Sequence, residues 1–560
     1  MHRQLLSRLL TAWNVFGIAL IGMAVFTVIV PYNMDEFIHY DAILCHWFPG
    51  NNWHGQCDPW QLNVLNLGWV LPVRAYGYSG SFPALYFLPI HLLWRSPLAA
   101  RMLGLGFLAL GAVISARAMG LKWRPVVVGM LLTFPYAFQT IVDTGPIGYH
   151  ILSIYLLYVL LERWCATLQT RYITLATIAV FLGIWTKFAY FWMAPGLAII
   201  LALHAWERRA FLLKREHLRT AAKHLFGCGF CLIVALSVLL LSTRPGNPAD
   251  MPYMNELLGS PAYTIGEMLR GAWFQSNILN MLIQPLDATH RVFILKSPHV
   301  LSLLYSVLAY GFVPAAIAAL FLAGERRLIR RPLVLYVAFI ATILMIMRTK
   351  NAGAMHHAIL SYPFLILATL AAQRALCDAA CSFAWRGRIR HLIAGWSVAF
   401  VTVNLALIGV MTTQQVNSDS SADKQAIHTL LNAGDVSGKY MVATLDWGMF
   451  YYQGLFGHDD QSVLFEWGLK DENRIRYLQD IAREHGRKLL FAYQRDTSAN
   501  IDMITSLVPV ERCSGIPESS AWQMLAEPDD ELRNLCDRLA ATRNSKSGIA
   551  GAALKASMLL

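Results

Sequence analysis

A chain of 560 residues that is 56% hydrophobic and only 14% charged, with a positive mean hydropathy, cannot pack as a water-soluble globule; much of its apolar surface has to face lipid. The net charge of +12 suggests a nucleic-acid partner, yet residues 412–560 hold 15 Lys and Arg against 20 Asp and Glu, leaving 31 basic and 14 acidic residues in the apolar part. That excess belongs to loops between membrane helices, where the positive-inside rule accounts for it and no nucleic acid is needed.

Apolar windows long enough to cross about 30 Å of hydrocarbon recur to residue 411 and then stop. They predict a polytopic α-helical membrane protein of about eleven spans, at 11–31, 98–116, 125–142, 145–161, 172–186, 189–205, 225–242, 299–323, 332–347, 358–373 and 391–411. The first follows Arg3 and Arg8, which sets the N-terminus in the cytoplasm, and it lacks the cleavage site and the short length of a removed signal peptide. Alternation then puts 21 basic residues on short inner loops, including six between Arg208 and Lys223 and the group Arg326, Arg327, Arg330 and Arg331, against 10 on the outer side. Long outer loops follow at 32–97 and 243–298.

Within the first outer loop, Phe37, Tyr40, Ile43, Leu44 and Trp47 recur at helical spacing and predict a helix at the membrane surface over 33–47. A second apolar piece, Phe82 to Trp94, is interrupted by Pro83 and Pro89. A full span there would put every later basic loop on the wrong side, so it reads as re-entrant or interfacial. Beyond residue 411, β-like runs at Tyr440 to Leu445, Ser462 to Phe465 and Leu489 to Tyr493 alternate with amphipathic stretches such as Glu472 to His485. They predict a small α/β domain over 412–540 on the periplasmic side, followed by a tail at 541–560. Residues 1–411 form the membrane domain.

Cysteine usage follows the same topology. Cys45 and Cys57 in the first outer loop and Cys513 and Cys536 in the tail domain lie where disulfides persist, and pairs Cys45/Cys57 and Cys513/Cys536 are expected, with unpaired apolar thiols as the alternative.

The polar residues that can carry chemistry collect on the outer face. Asp35 and Glu36 are adjacent carboxylates just past the first span, and Asp143 lies in the next outer loop. Converging on one cleft they can deprotonate an attacking hydroxyl or amine and orient a substrate; the alternatives are solvated loop acids and, for Asp143, a helix cap. Lys187 stands alone in a stretch otherwise uncharged from Tyr172 to Ala205, and Arg270, Arg291, Lys296, Arg348, Lys350 and His356 share its face. Cations at headgroup depth suit a phosphate-bearing lipid and a phosphate leaving group, or simply snorkel to ordinary headgroups. No metal-ligand spacing is present, no cofactor motif is required, and use of a divalent metal is left open. Without a nucleotide-binding motif, an activated substrate has to arrive through the lipid.

These pieces, in order, resemble the GT-C glycosyltransferases, in particular the group holding protein O-mannosyltransferases and the lipid A aminoarabinose transferase. The resemblance rests on Asp35-Glu36, on Phe82 through Leu88 and on Pro97 through Arg101. It continues through Asp143, Gly183 through Lys187, and Lys350 through Pro363. It covers roughly residues 10–375 and departs from the family at two points: no Lys precedes Pro83, and Phe188 stands where Gly commonly follows Thr-Lys. It implies inverting transfer of a sugar from a polyprenyl-phosphate donor to an envelope acceptor, whether lipid, glycan or protein, at the periplasmic face of a bacterial inner membrane. Asp35 would then act as base, Glu36 and Asp143 as supporting acids, and Lys187, Arg348 and Lys350 as phosphate contacts. A transporter or flippase for a lipid-linked sugar, or a non-enzymatic envelope assembly subunit, is the competing reading.

Overall fold

The computed structural model of the protein describes residues 79–120, 146–241, 263–268, 270, 300–348, 359–380, 392–393, 395–406 and 410. Before these it describes 20–21, 24, 38–40, 43, 61–64, 69–72 and 74–76, and after them 426–427, 430–431, 434–445, 454–456, 463–465, 472–494, 501–514, 516, 522–528, 530 and 532–541. The chain divides into two compact units, one of Met1–Val28, Gly77–Phe82 and Arg101–Met411, the other of Ile29–Tyr76, Pro83–Ala100 and Thr412–Leu560.

In chain order the elements are β1 (Gln61–Val64), β2 (Trp69–Pro72), β3 (Arg74–Tyr76) and β4 (Ser79–Gly80), then α1 (Phe82–Leu93) and α2 (Pro97–Ala118). The helical series continues with α3 (Pro146–Thr167), α4 (Thr170–Thr186), α5 (Ala194–Glu207), α6 (Arg215–Leu241), α7 (Val300–Leu322), α8 (Arg326–Arg348) and α9 (Tyr362–Ala380). A further apolar helix, α10, runs Gly395–Ala406. Six described helical stretches are long and apolar enough to cross a bilayer: Pro97–Ala118, Phe188–Glu207, Arg215–Ser237, Leu303–Leu322, Arg326–Arg348 and Ile359–Ala379. Helices α3, α4 and α10 also stand where spans were expected, while the expected spans 11–31 and 125–142 lie almost wholly outside the described residues.

In the first unit α8 packs on α9 and α5, α3 packs on α4 and α5, and α6 lies against α4. The stretch Ile359–Ala379 is the most enclosed of the six, its buried face dense in alanine and leucine, so neighbouring helices can approach closely. By contrast, the apolar side chains of α6 point outward, Phe226 and Ile233 among them, as a lipid-facing helix requires.

Two boundaries differ from the sequence expectation. The basic residues from Arg215 to Lys223 belong to α6 and not to a loop, and Arg326 to Arg331 form the first turns of α8. Arg and Lys are good helix formers, and their long stems let a helix continue past the hydrocarbon while the charges stay in water. At 27 residues α6 is about 40 Å long, more than the hydrocarbon thickness demands. Helix α1, at 12 residues and about 18 Å, is too short to span, in keeping with an interfacial piece.

In the second unit β1 and β2 form an antiparallel hairpin that was not expected from the sequence. The C-terminal part adds β5 (Tyr440–Thr444), β6 (Val463–Phe465), α11 (Glu472–Glu484), β7 (Lys488–Gln494), α12 (Ile501–Leu507), β8 (Glu511–Arg512) and β9 (Trp522–Ala526). One five-stranded sheet results, ordered β6-β5-β7-β9-β8, with β6, β5 and β7 parallel and β9 antiparallel to β7 and β8. Met441, Ala443, Leu489, Phe491 and Leu525 line one face against Ile475, Leu478, Ile481 and Ile504 of α11 and α12. The alternate residues, Val442, Leu490, Ala492 and Met524, are buried as well, so the sheet is covered on both sides. Cys513 and Cys536 are joined by a disulfide.

Candidate functional site

Helix α4 stops at Thr186, and Lys187 follows in extended backbone (φ −161°, ψ 130°) before a 3-10 turn over Phe188–Met193 leads into α5. The break has visible causes: Pro195 in the first turn of α5 lacks an N–H with which to continue a preceding helix, and Phe188, Tyr190 and Trp192 pack inward. Gly183 makes room for it, because a Cβ there would lie 2.5 Å from the Tyr190 ring. The Gly183 carbonyl accepts the Lys187 N–H at 3.2 Å and the His150 Nε2–H of α3 at 3.0 Å. Ser153 and Tyr190 share a hydroxyl hydrogen bond of 2.9 Å beside them.

Lys187 itself is only 5% exposed. The wall around this turn is aromatic, with Phe82 stacked on Trp185 at 5.7 Å and meeting Tyr149 edge-on at 5.2 Å. Gly80 lies so close over the Trp185 carbonyl that an added Cβ would fall 1.6 Å from its oxygen, which no side chain could occupy. Ser81 beside it is fully buried. An ammonium held at a broken helix among rings and hydroxyls, in a dry setting, is a strong partner for an anion.

A cavity of about 350 Å³ opens between the first turn of α5 and the end of α8. Its wall is mostly apolar, from Pro195, Tyr263, Met268, Leu344 and Met345, and among the described residues Arg348 is the one charged group lining it. The Arg348 carbonyl accepts the Tyr263 N–H at 3.0 Å and so docks the segment that follows. That segment is a single helical turn, Ile265–Met268, closed by a reciprocal capping box: Thr264 N–H donates to Glu267 Oε2 at 2.8 Å, and Glu267 N–H to Thr264 Oγ1 at 3.2 Å. An apolar wall ending in one guanidinium suits a long-chain anion.

Of the residues singled out from the sequence, Lys187 and Arg348 stand in this region of the first unit, Lys187 in the helix break and Arg348 in the cavity wall that Pro195 shares. Arg270 is exposed just past the short capped helix. Asp35, Glu36, Asp143, Arg291, Lys296, Lys350, His356, Cys45 and Cys57 lie outside the described residues. Among the described residues no group of three His, Cys, Asp or Glu is placed to hold a metal.

Sequence reasoning passed over Arg101, His150 and the Ser153–Tyr190 pair. Arg101 is 1% exposed near the start of α2, and the usable signal was a lone guanidinium in an apolar span. His150 and Ser153 sit at i and i+3 and carried no such signal; only the fold brings Gly183 and Tyr190 to them.

The second unit holds another tie to the first outer loop. Tyr40 packs on Phe87 of α1 at 4.4 Å, Phe87 on His91 at 5.5 Å, and His91 on Phe456 of the C-terminal part at 5.8 Å. Arg95 donates to the Leu455 carbonyl at 2.8 Å. Burial, and then the nearby Arg95 charge, push the His91 imidazole down to about 4, so it is neutral at ordinary pH.

No protein-family model matches the sequence, and no curated protein matches it at the sequence level. The structure does match solved ones. ArnT from Cupriavidus metallidurans bound to undecaprenyl phosphate superposes with a TM-score of 0.56 at 11% identity, over 92% of this chain and 98% of that one. The apo state of the same ArnT gives 0.53 at 11% identity, over 94% and 98%. The chain therefore shares the overall fold of this ArnT. At 11% identity the likeness is one of fold alone.

Proposed function

We propose that this protein is a membrane glycosyltransferase that moves a sugar from a polyprenyl-phosphate donor to an envelope acceptor at the periplasmic face. The observation that carries the reading is the ArnT-like fold over nearly the whole chain, one of whose solved structures holds undecaprenyl phosphate. The buried Lys187 at the broken helix and the apolar cavity ending in Arg348 supply what such a donor requires: a cation for the phosphate and an apolar wall for isoprene units.

In this reading an acceptor hydroxyl or amine attacks the anomeric carbon while Asp35 takes its proton. The bond from that carbon to the phosphate oxygen breaks, and the polyprenyl phosphate leaves against Lys187 and Arg348. A single displacement of this kind inverts the anomeric centre. Glu36 and Asp143 support the base, and Arg270, Arg291, Lys296, Lys350 and His356 extend the positive field around the donor.

The test is release of free polyprenyl phosphate from a panel of glycosylated polyprenyl phosphates by purified protein with envelope extract. Wild type should release it, Asp35→Asn should lose at least about a hundredfold in rate, and Lys187→Ala should lose turnover with it. No release by folded wild-type protein across the panel would shift the reading to transport or assembly.

A further inference from the structure

The other end of the first unit, where α5 closes and α8 opens, carries an arrangement the transfer reaction does not use. Arg331 there draws in two carboxylates, binding Glu207 through Nη2 at 2.8 Å and Nε at 3.1 Å, and Glu162 of α3 at 3.3 Å. His204 adds a contact of 3.7 Å to Glu207. Both carboxylates of this three-helix junction are engaged by Arg331, and together the three side chains carry a net negative charge.

Two neighbouring guanidiniums stand outside it. Arg330, adjacent in sequence, lies over the Trp206 ring at 4.8 Å, and Arg209 lies over the same ring at 4.9 Å. Among the described residues neither guanidinium has a carboxylate within 4.0 Å. Arg209 is exposed and spends one N–H on the Trp206 carbonyl, at 3.2 Å. Two guanidiniums gathered within 5 Å of one indole add more positive charge to this surface than the one excess carboxylate beside Arg331 offsets, and an anion bound by both would relieve their repulsion.

We propose that Arg209, Trp206 and Arg330 form a seat for the phosphodiester headgroup of an anionic phospholipid. Trp206 is 53% exposed, and tryptophan favours the depth at which headgroups meet acyl chains. Beyond it the short helix Arg209–Leu212 leads to Leu213, 70% exposed, which offers apolar surface to an acyl chain on the same side. A phosphodiester accepts from two forked guanidiniums at once, where a zwitterionic headgroup brings its own cation into the repulsion. By the distribution of basic residues the lipid belongs to the cytoplasmic leaflet, whose surface is negative. General attraction of basic loops to that surface requires no particular pair; this seat does, and it is independent of the glycosyltransferase reading.

The probes are phosphatidylglycerol, phosphatidylcholine with the same acyl chains, and inorganic phosphate, added to delipidated protein in detergent. Adduct retention is read by native mass spectrometry and thermal stability by a dye-free melt. Wild type should retain phosphatidylglycerol and melt higher with it, while phosphatidylcholine and inorganic phosphate leave the melt unmoved. Arg209→Gln/Arg330→Gln should bind phosphatidylglycerol about thirtyfold more weakly, and each single variant about fivefold. Equal binding by the double variant, equal retention of phosphatidylcholine, or a melt shift reproduced by inorganic phosphate overturns the proposal. Should the double variant fail to fold, wild type alone decides it. The preference for phosphatidylglycerol must fade as salt rises beyond the screening range, and a preference indifferent to salt counts against the seat.

Discussion

Gly80 and Lys187 belong to one piece of geometry. The Gly80 backbone rests on the Trp185 carbonyl, and Trp185 is two residues before the buried ammonium, so the space that holds Lys187 in place is set in part by the missing side chain at position 80. Gly80→Ala would put a methyl 1.6 Å from that oxygen and force the backbone on one side or the other to move. Such overpacking costs about 1–3 kcal/mol, and the displaced turn should also lower donor turnover. Gly106→Ala in α2 is the matched control, since nothing lies within 4 Å of a Cβ there; it should melt like wild type and keep its rate. Equal behaviour of the two variants would mean that the close approach at Gly80 does not position Lys187.

Helix α1 joins Tyr40 to the C-terminal part through Phe87, His91 and Phe456, and this makes its stability depend on pH. His91 has a folded-state value of about 4 against an ordinary value of 6.5. Between those values the unfolded chain takes up a proton that the folded chain refuses. Stability is therefore full above pH 6.5 and is lost as pH falls toward 4, by no more than about 1.4 kcal/mol per unit. Thermal melts from pH 7.5 to 4.5 should show that slope in wild type, and His91→Phe, which keeps a ring among the rings, should flatten it. Much of this architecture was legible beforehand: apolar windows located helices α2 to α10, and alternation located β5, β6 and β7 to within a residue or two. The hairpin β1–β2 and strands β8 and β9 were not, because strands of two to five residues carry little periodicity of their own. The candidate site was half legible. Lone charges such as Lys187 stand out against apolar sequence, whereas His150, Ser153 and Tyr190 acquire meaning only once α3 is laid beside the broken helix.

One compact unit contains both Ile29–Tyr76, which holds much of the first outer loop, and the C-terminal part Thr412–Leu560, and this constrains topology, since segments that pack together must leave the bilayer on the same side. If the N-terminus is cytoplasmic, the charge rule would put the first outer loop in the periplasm, and the sheet and its Cys513–Cys536 bond would lie there with it. The bond closes a separation of 23 residues, for which loop entropy predicts roughly 3 kcal/mol of stabilisation to the C-terminal part. In intact spheroplasts a membrane-impermeant maleimide should label a cysteine introduced at exposed Arg483 of α11 and miss one introduced at exposed Arg219 of α6. Cys513 and Cys536 should react only after reduction, with the C-terminal part then losing protease resistance. Labelling confined to Arg219→Cys would invert the protein in the membrane. It would carry the proposed transfer site to the cytoplasm and the anionic-lipid seat to the outer leaflet, two consequences that the donor-release and lipid-retention measurements would register separately.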